Sequence, residues 1–252
     1  MKFSYLFFFV FLYSQIHSQD NYVQFETVIL TPDLARMDEL RENMRTHNAK
    51  YHVDLPFRTG VWHILTGPNT GKLVWVMGPC TFADLDSRPH DDGHEEDWRK
   101  NISPYLKETE HGEYWRQLPE TVVNAPGDDD STSPLLYLRY YSVNPGQGFS
   151  VDRLFSQLVE AVRQTEMTTS WSLYVNRFVQ GVMNGRHYVS VRALDKWADL
   201  DKDINFSTVF NKIHGEEAYR TWVTETRQVF SNQWEEIWSF DPYMSGANLV
   251  QE

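Results

Sequence analysis

The chain has 252 residues, 41% of them hydrophobic and 15% aromatic, and a formal net charge of −12. That length suffices for one large domain or two smaller ones with a sizeable core. The negative balance argues against nucleic acid and anionic membrane surfaces as partners, since both need a cationic face, and a single cysteine, Cys80, rules out an intrachain disulfide.

The chain begins with Lys2 as the only charge ahead of an apolar run at 5–13. A short polar stretch leads to Ser18, with Ile16 and Ser18 at the −3 and −1 positions of a cleavage site. A spanning helix needs roughly 20 apolar residues, so residues 1–18 read as a secretory signal peptide rather than an anchor. The expected product is periplasmic or secreted, starts at Gln19, carries a charge of −13 after loss of one lysine, and does not insert into a membrane.

A strand is expected at 22–30, after which Thr31 caps a helix starting at Pro32 with Leu34, Met37, Leu40 and Met44 on its buried face. Strands at 61–65 and 72–77 form a hairpin around Gly67-Pro68-Asn69-Thr70-Gly71. The stretch from His90 to Asp97 offers two imidazoles four residues apart with carboxylates between them. Pro89 and Gly93 favour a solvated acidic loop there, leading into a helix around Trp98 and Ile102, and no metal site is assigned. Residues 128–134 are turn-forming, charged and free of apolar side chains, which marks a linker.

Beyond the linker, 135–143 reads as a strand, and Val151, Leu154, Phe155, Leu158, Val159 and Val162 follow helical spacing. A strand at 171–179, with Leu173, Val175 and Val179 on one face, turns at Asn184-Gly185 into a strand at 187–194. Phe206, Val209, Phe210 and Ile213 mark a helix, a longer helix spans 216–230, and a last strand lies at 237–240.

An internal repeat organises these elements. Phe82-Ala83-Asp84-Leu85-Asp86 recurs 115 residues later as Trp197-Ala198-Asp199-Leu200-Asp201, and the same shift carries Val74 and Val76 onto Val189 and Val191, and Ile64 onto Val179. Leu30-Thr31-Pro32 resembles Val143-Asn144-Pro145, and His111-Gly112-Glu113 resembles His214-Gly215-Glu216. The reading is α+β: two tandem ferredoxin-like βαββαβ units, at 20–127 and 135–244, packed sheet to sheet as a pseudo-dimeric α/β barrel with a tail at 245–252. Fusing both units in one chain predicts a monomer with pseudo-twofold symmetry.

Alternation then assigns the faces. Val74, Val76, Val189, Val191, Phe25, Ile29, Leu136 and Leu138 are placed on the helix-covered side. The interior is expected to receive Glu26, His63, Trp75, Tyr137, Arg139, Tyr141, Asn176 and Arg192, with Gln24, Val28, Met77, Tyr174, Phe178 and Ser190 beside them. Glu26 and Arg139 stand at equivalent positions of the two units and suit an ion pair. Those eight residues form the candidate ligand site, since aromatic walls with a few convergent polar groups suit a small apolar or aromatic molecule.

The twofold unit, with Trp197-Ala198-Asp199-Leu200 directly after a hairpin, resembles the dimeric α/β-barrel superfamily of antibiotic-biosynthesis-type monooxygenases, NIPSNAP-like proteins and haem-degrading monooxygenases. The resemblance implies a ligand inside the barrel and, in several members, aromatic or haem-like substrates. It assigns no catalytic residue and leaves the cofactor unknown. No nucleophile elbow, His-Glu-x-x-His, Walker loop or dinucleotide fingerprint is present, and Cys80 reads as a buried structural thiol. Three functions stay open: small-molecule binding in the barrel, oxygenase-like catalysis in the same cavity, and an interaction module with a filled core.

Overall fold

The computed structural model describes residues 22–88, 92–125, 132–178 and 185–246. The signal segment, most of the linker, Val179, Asn184 and the end of the tail lie outside these residues. Strand β1 (Gln24–Pro32) leads through a short turn into helix α1 (Met37–Tyr51), and strands β2 (Thr59–Ile64) and β3 (Leu73–Met77) follow. Helices α2 (Phe82–Asp86) and α3 (Asp92–Asp97) precede the long strand β4 (Leu106–Gln117). The second half repeats the plan: β5 (Leu135–Val143), α4 (Gly148–Val162), β6 (Trp171–Asn176), β7 (Tyr188–Leu194), α5 (Phe206–His214), α6 (Ala218–Val229) and β8 (Phe230–Asp241).

All eight strands pair antiparallel in one closed barrel, in the order β1-β3-β2-β8-β5-β7-β6-β4. The two halves meet edge to edge, β2 against β8 and β4 against β6, rather than as separate sheets laid face to face. Closure gives every edge strand a partner. Gly67 shows how tightly the seam is built: at φ +86°, a Cβ there would collide with the Glu235 carbonyl of β8.

Several local expectations change. β1 runs on through Pro32, and Asp33, not Thr31, caps the next turn by accepting from the Ala35 amide at 3.2 Å. Leu34 is exposed, while Leu40 and Met44 are fully buried. Asp92–Asp97 is helical despite Gly93. The His111-Gly112-Glu113 match does not hold, because it lies in β4 whereas His214 ends α5. The last strand is longer than expected and begins at Phe230.

Three large clusters and a smaller one of Leu135, Leu194 and Ile237 pack the described residues. One joins α1 to Leu30, Val61, Leu73, Trp75 and Met77 on the outer face of the first half. Another joins α4 to Tyr141, Trp171, Leu173 and Phe230 on the outer face of the second. The third is the barrel interior, built by Ile29, Trp62, Ile64, Val74, Trp115, Leu138, Tyr140, Val189 and Trp238. Both faces of the sheet are therefore apolar, so alternation defines two sets of side chains without telling which is inside.

Candidate functional site

That ambiguity inverts most of the expected site. Val74, Val76, Val189, Val191, Phe25, Leu136 and Leu138 face the interior, and their neighbours face out. Only β6 keeps its expected orientation, with Tyr174 inward. None of the eight candidate residues stands on the wall of the barrel cavity.

Their actual settings explain their polarity. Glu26 accepts from Arg88 at 2.6 Å, and Arg139 pairs with Glu235 while donating to the Tyr137 hydroxyl at 3.1 Å, so Glu26 and Arg139 do not form a pair. His63 bonds Asp241 at 2.8 Å. Trp75 lies beneath α1 and donates to Asn48 at 3.1 Å. Tyr141 packs on Phe155 and Phe230, Asn176 accepts from the Phe178 amide, and Arg192 borders a separate cleft of about 300 Å³ beside Asp199.

The cavity itself has a volume of about 830 Å³, inside the ~300–1,000 Å³ range of small-molecule sites. Its aromatic wall comes from Phe25 on β1, Trp62 on β2, Trp115 on β4, Tyr140 on β5, Tyr174 on β6 and Trp238 on β8. Val76, Leu136, Leu138, Val189, Val191 and Ala193 supply aliphatic surface, and the mouth is bounded by Asn124, Ala125, residues 168–170 and Asp195.

Few polar groups reach this space. Ser172 and Tyr174 share the Gln117 side-chain amide, which donates to each hydroxyl at 3.2 Å. Burial pushes the Tyr174 phenol up, so it stays protonated and can donate. The Thr27 hydroxyl is buried on the wall with no protein partner among the described residues. A buried hydroxyl without a partner is costly, and a polar atom of a ligand would satisfy it.

Behind Trp115 and Tyr140 lies a buried network. Arg186 forks onto Glu113, donating at 2.7 and 2.9 Å, and donates to the Tyr140 hydroxyl at 3.1 Å. Trp115 donates to the same Glu113 at 3.1 Å. Burial opposes the Arg186 charge, but Tyr140 and Glu113 more than offset it, while burial is the main cause that drives the Tyr140 phenol upward. The opposite strand repeats the motif, with Trp238 donating to Glu236 at 2.8 Å, helped by Asn69 at 2.8 Å and Trp234 at 3.3 Å. The network fixes two cavity tryptophans from behind, one in each half. Its signal in the sequence is Glu-x-Trp, as Glu113-Tyr114-Trp115 and again as Glu236-Ile237-Trp238. Arg186 carries no such signal, because it directly follows the Asn184-Gly185 pair that the sequence reads as a turn, where a basic residue ordinarily meets solvent.

No known protein family and no curated protein matches this sequence. Solved structures do match its fold. A variant of chlorite dismutase from Candidatus Nitrospira defluvii superposes with a TM-score of 0.57 at 8% identity, covering 92% of this chain and 97% of that one. A proposed monooxygenase from Lactobacillus acidophilus gives 0.55 at 9%, covering 87% and 94%. A haem-binding protein from Thermus thermophilus gives 0.51 at 9%, covering 92% and 96%. The likeness is one of fold. The chain is an α+β protein with an eight-stranded closed antiparallel barrel, of the kind those proteins share.

Proposed function

We propose that the protein is an exported carrier or receptor that binds a small, flat, largely apolar molecule, aromatic in class, inside the barrel. The observation that carries this reading is the cavity of about 830 Å³, lined by six aromatic rings and holding the unpartnered Thr27 hydroxyl. The fold reading extends to two fused ferredoxin-like units. It is supported by the matching strand orders β4-β1-β3-β2 and β8-β5-β7-β6, by the α2 and residue 197–200 turns that each follow a hairpin, and by the paired Glu-x-Trp motifs. Kinship with the monooxygenase-like and NIPSNAP-like barrels belongs to the same reading, as does a monomeric state.

Haem fits this cavity poorly. Its described wall residues include no His, Cys or Met, and the hydroxyls of Tyr140 and Tyr174 already have partners. No haem chemistry is therefore assigned to the barrel. A second reading, a haem-independent oxygenase acting on the bound aromatic molecule, draws on the monooxygenase-like neighbour. Binding is preferred because the described acids on the wall reduce to Asp195, while the buried carboxylates of Glu113 and Glu236 lie behind Trp115 and Trp238 and are already engaged by those rings, Arg186 and Asn69.

Native mass spectrometry of protein purified gently from its own source tests the proposal. The expected spectrum is one chain beginning near Gln19 with a reproducible organic adduct. A bare chain that also takes up none of a panel of aromatic compounds would contradict it.

A further inference from the structure

Away from the barrel cavity, beneath α1, three imidazoles meet. His47 on α1, His52 at its C-terminal end and His94 on α3 each offer a ring nitrogen, and these atoms lie within 4.8 Å of one another. The ring centroids form a nearly equilateral triangle with sides of 5.0, 5.1 and 5.2 Å. Three imidazoles bound tetrahedrally to one ion at about 2.0–2.1 Å place their centroids about 5 Å apart.

Two of the rings are oriented for this role. The Nδ1 of His47 donates to the Asp97 carboxylate at 2.7 Å, and the Nδ1 of His52 donates to the Phe57 carbonyl at 2.9 Å. Each bond fixes the tautomer and leaves Nε2 as a lone pair, the arrangement that carboxylates and carbonyls impose on metal-binding histidines. His47 is fully buried, and its Nε2 has no partner among the described residues. The Nε2 atoms of His52 and His94 approach to 3.0 Å, close to the ~3.0–3.4 Å expected for two nitrogens on one such ion.

We propose that His47, His52 and His94 form a binding site for a divalent first-row transition ion, of the zinc and copper class that imidazole favours. Asp97 and the Phe57 carbonyl are the positioning groups. Three protein ligands leave a fourth position for water or a small anion. The rings of Tyr51, Trp98 and Trp75 pack around the triad at centroid distances of 5.0 to 5.2 Å and shield it. The site makes no use of the barrel cavity, and either proposal can fail without the other.

The experiment is equilibrium dialysis of chelator-treated full-length protein against Zn²⁺, with metal counted by mass spectrometry, and a parallel Co²⁺ titration followed by visible absorption. The expected result is one tight equivalent per chain and a tetrahedral Co²⁺ spectrum. His94→Ala, at a half-buried ring whose loss the fold should tolerate, is expected to abolish both. Asp97→Asn keeps all three imidazoles and should weaken binding by about 10–100-fold. His214→Ala, in the other half, should change nothing. One tight equivalent retained by His94→Ala, or wild-type binding no tighter than that of His94→Ala, would overturn the assignment.

Discussion

Arg186 and Glu113 are 4% and 0% exposed, and each has the other as its principal charge partner. Breaking such a pair strands a charge in a medium that cannot solvate it. Glu113→Gln is therefore expected to cost about 3–5 kcal/mol in chemical denaturation. Arg186→Met added to it should recover part of that loss, since the double variant leaves no unpaired charge. If both single and double variants melt like the wild type, the network does not hold Trp115 and Tyr140 in place. Asp241 predicts a pH effect. Burial pushes its carboxyl upward, but His63, the Met244 amide and Arg41 outweigh burial and hold it below the usual carboxylate range. A depressed carboxylate stabilises the fold above its unfolded pKa of about 3.9 and loses that contribution as the pH falls through the folded value. Asp241→Asn should thus lower the urea midpoint at pH 7, by about 1–3 kcal/mol of stability, and flatten the loss seen in the wild type below about pH 4. Cys80, by contrast, is held as a thiol, because burial pushes it up to about 11.

At the scale of elements, the strands and the major helices were readable because their signals are local. The α4 stripe from Val151 to Val162 and the hairpin of β2 and β3 follow from periodicity and turn residues alone. β4 is the strand that periodicity does not reveal at all: Leu106–Gln117 is rich in charged side chains and gains its place by pairing with β1 and β6. The direction of the side chains is not legible on β1, β2, β3, β5 and β7. On β3 the valines Val74 and Val76 face the barrel, and Trp75 and Met77 pack under α1. A strand with two apolar faces has no sequence mark for its inner one. The histidine triad leaves no mark in the sequence for a related reason. His47 and His52 are five residues apart, a spacing that a regular helix would splay onto different faces. They converge because the chain leaves the helix at His52, with φ −133°.

For the whole molecule, closure is the decisive property. Each half supplies the edge partners of the other, so among the described strands no edge is left open. No described helix is long and apolar enough to cross a membrane. Closing the barrel around aromatic rings leaves an interior too large to be filled by its own walls, and the binding proposal rests on that space. The most direct test is a titration of wild-type protein with 2-naphthol, followed by quenching of intrinsic tryptophan fluorescence, beside Ala193→Trp and Val191→Phe, which fill the cavity from β7. Trp62, Trp115 and Trp238 line the space and report on its contents. The account expects saturable one-to-one binding by the wild type, lost in both filled variants at unchanged melting temperature. Equal quenching of all three proteins, or none in any, would contradict it.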